Sequence, residues 1–137
     1  MYLRYHFLSC IILTLLLLPF FSYYSFLVFA LGFFIDIDHY LYDLIRHKKF
    51  DLIEVYKRHM DKNQVIKDQL HIFHTIEFIS LFILITLLSG NIYLLLLSTG
   101  FVLHLILDCI YNINSIRNNI IENQTSAFSL ISWLHRN

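Results

Sequence analysis

The sequence predicts an all-α, polytopic membrane protein: a four-transmembrane-helix bundle built from two hairpins, with an amphipathic cytoplasmic helix between them and an interfacial helix after them. Three observations predict it. The chain of 137 residues is 58% hydrophobic and 15% charged, with a mean hydropathy of +0.63, where soluble domains run about 45–50% apolar and about 25% charged. Residues 7–35 and 78–103 contain no charged side chain. Each block is interrupted near its middle, the first by Pro19 and the FFSYYS that follows it, the second by Ser89-Gly90-Asn91, and residues of these types end or turn a helix.

The opening MYLRYHFLSCIILTLLLLPFF has the outline of a signal peptide, but bulky PFFSYYSFLVF follows where a small-x-small cleavage site belongs, so the segment is kept as structure. Read as single helices, the two uncharged blocks would run about 39–44 Å at 1.5 Å per residue, too long for a hydrocarbon core of about 30 Å. Read as hairpins, they fall within residues 3–47 and 70–112, and each helix has an apolar core of about twelve residues, short for a span. In the linker, residues 50–69, Asp51 and Glu54 have capping-box spacing while Phe50, Ile53 and Tyr56 recur at helical intervals, the pattern of an amphipathic surface helix. The tail, residues 113–137, offers Thr125 or Ser126 as a helix cap and Phe128, Ile131 and Trp133 as an apolar face, with the indole at headgroup level.

Charge fixes the orientation. With four crossings, Arg4, the Arg46-His47-Lys48-Lys49 run, Lys57, Arg58, Lys62, Lys67, Arg117 and Arg136 all fall on one side, and neither hairpin tip carries Lys or Arg. The positive-inside rule makes that side cytoplasmic, with both termini inside and the cell membrane as the location. Formal net charge is zero, and no basic cluster alternates with aromatics, which excludes a nucleic-acid partner. Cys10 and Cys109 stand far apart in no CxxC pattern and read as small apolar fillers.

The remaining polar residues share one depth. His6 and Asp36 lie about fifteen residues from the first turn, and Glu77, His74 and His104 about thirteen to sixteen from the second, so all five sit at one level. Helical spacing sorts them by face. Asp36, His39 and Asp43 form one stripe of DIDHYLYD with Asp38 pointing away; His71, His74 and Glu77 form another; His104 and Asp108 pair at i and i+4. His47, His59 and His135 fall in basic or amphipathic surface stretches and read as solvated.

An ionisable group at the centre of a membrane helix costs about 2.5–3.5 kcal/mol on insertion scales, so such groups face a cavity, pair with one another or bind something. A layer rich in carboxylate and without Lys or Arg calls for a counter-charge. A divalent metal supplies it economically: imidazole and carboxylate suit Zn, with Mn or Fe as alternatives, in one or two ions. Helical bundles build such centres from inward-facing residues at i, i+3. The candidate ligands are His6, Asp36, His39, His71, His74, Glu77, His104 and Asp108. A carboxylate not fully engaged, Asp38 or Asp43, is the candidate general base for a metal-bound water. Two other readings stand beside this one: a metal-binding or metal-transporting protein without catalysis, and a hydrogen-bonded polar layer that locks the helices with no metal.

The motifs His6, GFFIDIDHYLYD, HIFHTIEF and GFVLHLILD, in that order over roughly residues 1–111, resemble the predicted inner-membrane, metal-dependent hydrolases related to a LexA-regulated bacterial protein. The family pattern has an early histidine, a (P)D-x-DH motif, a histidine motif opening the third hydrophobic segment and G-x-x-x-H-x-x-x-D in the last. Ile35 stands where the family has proline, and His-x-x-His-Thr replaces the expected His-Arg and later Thr-His-Ser. The resemblance implies a metal-dependent hydrolase distantly akin to zinc phospholipases C, acting on a lipid-like phosphoester or ester at the membrane, with membrane lipid as its surroundings.

Overall fold

A computed structural model describes residues 3–41, 53, 70–117 and 129–136, which are helical apart from short connections at 35–36, 70–71, 75, 90–91 and 129. The leucine-rich segment after Arg4 forms α1, Leu3–Phe21. Pro19 lies in its last turn, where its ring withdraws one backbone donor, and the helix stops two residues later. A 3-10 turn at Ser22–Ser25 reverses the chain, with Ser22 in the left-handed region at φ 51° and the Ser25 hydroxyl donating to the Ser22 carbonyl at 2.8 Å. Helix α2, Phe26–Phe34, then returns along α1. The ring of Phe7 meets those of Phe29 and Phe33 edge-on at 5.7 and 5.5 Å. Ile35 and Asp36 form a turn, and residues 37–41 are again helical.

The second hairpin begins with a 3-10 turn, Ile72–His74, and extended Thr75. Thr75 caps α3, Ile76–Ser89, by accepting from the Phe78 N–H. Gly90 ends α3 in the left-handed conformation at φ 59°, which glycine adopts without a Cβ penalty. Asn91 then opens α4, Ile92–Arg117, its side-chain oxygen accepting from the Tyr93 N–H at 2.8 Å. Phe101 of α4 packs edge-on against Phe78 and Phe82 of α3. A short helix α5, Leu130–Arg136, completes the described chain.

The chain reverses at Ser22–Ser25 between α1 and α2 and at Gly90 between α3 and α4. Helices α2 and α4 run side by side in the same direction and join the two hairpins. Their backbones touch: a Cβ on Gly32 would lie 2.9 Å from the Gly100 carbonyl oxygen and 2.7 Å from Cys10 Sγ, and one on Gly100 would collide with the Val28 carbonyl. Glycine at both positions permits this approach, since neither carries a Cβ. One consequence is functional, because the same register sets Asp36 beside His104.

Two stretches, Arg4–Phe34 and Ile92–Asn114, are long and apolar enough to cross a membrane; the first is bent back at the Ser22–Ser25 turn. Helix α3, at 14 residues, spans about 21 Å at 1.5 Å per residue. The basic run at 46–49 and the linker helix expected over 50–69 lie, apart from Ile53, outside the described residues, as do Thr125, Ser126 and Phe128. The cap of α5 is Ser129, whose hydroxyl accepts from the Ser132 N–H at 3.1 Å.

Candidate metal centre

Four side-chain atoms from three separate segments converge where the hairpins meet. His104 Nε2 of α4 lies 3.2 Å from Asp36 Oδ1 and 3.2 Å from Asp108 Oδ2. His74 Nε2 lies 3.4 Å from His104 Nε2 and 3.7 Å from each of the same two carboxylate oxygens. All four atoms fall within 4.8 Å of one another. Ligands held tetrahedrally at about 2.0–2.1 Å are separated by about 3.3 Å, so the spacing is that of one coordination sphere.

The hydrogen bonds behind the two rings decide what those atoms carry. His104 Nδ1 is 2.8 Å from the Gly32 carbonyl oxygen, which can only accept, so Nδ1 bears the proton. His74 Nδ1 is 3.2 Å from Asp38 Oδ2 and donates to it. In neutral imidazoles both Nε2 atoms then present lone pairs. Two lone pairs and two carboxylate oxygens face one another with no donor among them, an arrangement that a cation satisfies. Two carboxylates carry a charge of −2, which a single divalent ion neutralises. Histidines stand as ion-pair partners of both carboxylates.

Local structure explains each position. His104 is fully buried because the Gly32–Gly100 contact draws α2 and α4 together. His74 is aimed by the 3-10 turn that Thr75 closes, its hydroxyl donating to the Ile72 carbonyl at 2.8 Å. Asp36 stands in the turn after α2.

The other predicted residues fall around this group. His6 Nε2 meets the far oxygen of Asp108, Oδ1, at 3.1 Å, and its ring stacks on His104 with centroids 4.0 Å apart; it holds a ligand in place. His39 Nε2 stands 3.6 Å from Asp36 Oδ1, and its ring lies against that of buried His71, centroids 3.6 Å apart.

Two expectations are corrected. Asp38 does not point away from the layer: it is 6% exposed, and its Oδ2 accepts from His74 Nδ1 and from the Phe73 N–H at 3.1 Å. The helix is broken at residues 35 and 36, so the rotation expected of a continuous helix does not apply. Nor does Glu77 share a face with His74, because Thr75 separates the 3-10 turn from α3. Glu77 instead accepts from the Ser129 hydroxyl at 2.5 Å and from the N–H groups of Leu130 and Ile131 at 3.0 and 3.3 Å, docking α5. A sequence signal existed for this: Thr75 followed two residues later by Glu77 is a cap with an acid in the first turn. Asp43 lies outside the described residues.

The geometry thus gives a buried His/Asp cluster able to hold a metal ion. No family model, curated protein or solved structure matches the chain.

Proposed function

We propose that the protein is a membrane-embedded, metal-dependent hydrolase that acts on a lipid-like phosphoester or ester at the cytoplasmic face of the inner membrane. The observation that carries the reading is the convergence of His74 Nε2, His104 Nε2, Asp36 and Asp108 with both Nδ1 protons committed elsewhere. Zinc is the ion proposed first, since imidazole and carboxylate at tetrahedral spacing suit it, with Mn or Fe as alternatives. When bound, such an ion supplies a hydroxide near neutral pH and polarises a phosphoryl or acyl oxygen. The protein's part is to hold the ligands and to shape access. Asp38 and the Gly32 carbonyl fix the two imidazoles, His6 fixes Asp108, and Asp36 and Asp108, at 27% and 25% exposure, leave the site open on one side. Asp43, two residues past the described helical turn, is the proposed base.

Membrane placement rests on an inverted distribution of polarity. Polar His6, Thr14, Ser25, Thr86, Ser98 and His104 are buried, while Leu16, Phe20, Leu87 and Leu88 are 64–78% exposed. Only 17% and 28% of the two long apolar windows are buried within the protein, unlike the core helix of a soluble domain. An apolar solvent accounts for this, and a substrate anchored in it reaches a site at the end of the apolar segments. The resemblance to the inner-membrane hydrolases is in keeping with this reading. Transport is disfavoured because the rest of the buried lining offers only hydroxyls and apolar groups toward the hairpin tips.

The test is hydrolysis by purified, metal-loaded protein in detergent or liposomes, using a chromogenic phosphodiester and phospholipids as probes. Turnover that stops with chelator and returns with zinc is expected. Metal binding without hydrolysis of either ester class would leave a binding protein in its place.

A further inference from the structure

The first group offers one ligand atom from each of Asp36, His74, His104 and Asp108. Beside it, the structure holds a second set of donors. Asp38, His39 and His74 each offer a ligand atom within 4.8 Å of the others, and His74 is common to both groups. Of these, Asp38 Oδ2 and His74 Nδ1 already bond one another. The atom left over is Asp38 Oδ1, buried with no hydrogen-bond partner, on a side chain that is 6% exposed. Leaving a buried carboxylate oxygen unsatisfied is costly. This oxygen faces His39 Nε2 at 4.0 Å, and the same nitrogen is 3.6 Å from Asp36 Oδ1. Two ligands of one ion, each about 2.0–2.2 Å from it, can be separated by at most about 4.2–4.4 Å, so both separations lie within the reach of a shared ion.

We propose that Asp38 Oδ1 and His39 Nε2, with Asp36 as the carboxylate shared with the first position, form a second divalent-cation site. The inference rests on the metal reading above. Asp36 joins the two ions, and the 29% exposed His39 faces the solvent side, leaving the remaining coordination places to water. With few protein ligands, the second ion is held more weakly and exchanges faster. Paired ions bridged in this way suit in-line displacement at phosphorus, clamping attacking and leaving oxygens together, so the arrangement favours a phosphoester over a carboxylic ester.

Manganese separates the two positions without reference to any substrate. Metal-free protein in detergent is titrated with Mn(II) and read by equilibrium dialysis and by electron paramagnetic resonance. Two equivalents per chain are expected, the second about tenfold or more weaker, with the signal of the filled protein altered by coupling between neighbouring ions. In His39→Gln the weaker equivalent and the coupling disappear while the tight one remains, and Asp38→Asn also loses the weaker equivalent. Saturation of the wild type at one equivalent, or an uncoupled second one retained in His39→Gln, overturns the second site and leaves the first standing. No binding at all in the wild type overturns both.

Discussion

His74 and His104 reach the same point from opposite sides, and each is held by a different acceptor. For His104 it is a main-chain carbonyl, Gly32, that no substitution of a side chain removes; for His74 it is the Asp38 carboxylate. Partners of this kind fix the tautomer and raise the basicity of a ligating imidazole, and losing one typically costs 10–100-fold in metal affinity. Asp38→Asn is therefore expected to weaken binding at the tetrahedral position by about 10–100-fold without abolishing it, as measured by competition with a zinc-responsive dye. An unchanged affinity would contradict the assigned role of Asp38. The chemistry of this layer was legible in part in the sequence: counting from the turns groups His6, Asp36, His74 and His104, along with Glu77, because depth along a helix depends only on residue number, and Asp108 joins them through its i, i+4 spacing from His104. The direction of Asp38 was not legible, because it depends on a two-residue break that leaves no mark in the composition.

The helices act as rods whose register delivers those side chains, and α2 against α4 is the contact that matters most. The approach at Gly32 and Gly100 is close enough that a methyl group must push the helices apart or shift them. Gly100→Ala is expected to lower stability by roughly 1–3 kcal/mol, as overpacking does, and to weaken metal binding as well, since Asp36 and His104 come from the two helices being separated. Thermal unfolding in detergent, with and without metal, reads both effects. A variant that unfolds and binds like the parent would show that this contact does not set the site. The element boundaries were legible where strong breakers stand: Pro19 ahead of the first turn, Gly90 at the second. They were not legible at Thr75, where a single cap inside an apolar run divides what reads as one histidine-bearing helix, and so Glu77 was assigned to the metal layer instead of to the N-terminus of α5. Local spacing cannot distinguish a continuous stripe from two elements meeting at a cap.

At the scale of the whole molecule, two hairpins place their polar ends together and their apolar flanks outward. If four crossings put the site on the cytoplasmic side, a reporter fused at Lys48 reads as cytoplasmic and the protein resists extraction by alkaline carbonate. A Lys48 reporter found on the opposite face would overturn that topology while leaving the metal chemistry intact. The two chain reversals were legible in advance because a charge-free run longer than a bilayer is thick, with a breaker at its centre, has few alternatives to folding back on itself. The contact of α2 with α4 was not, since nothing in either segment alone specifies its partner. The claim on which the rest depends is that a cation fills the space among Asp36, His74, His104 and Asp108. Elemental analysis of detergent-purified protein tests it most directly: at least one Zn, Mn or Fe per chain is expected, lost in His104→Ala, whereas a metal-free protein that folds and unfolds identically with and without chelator would contradict the account.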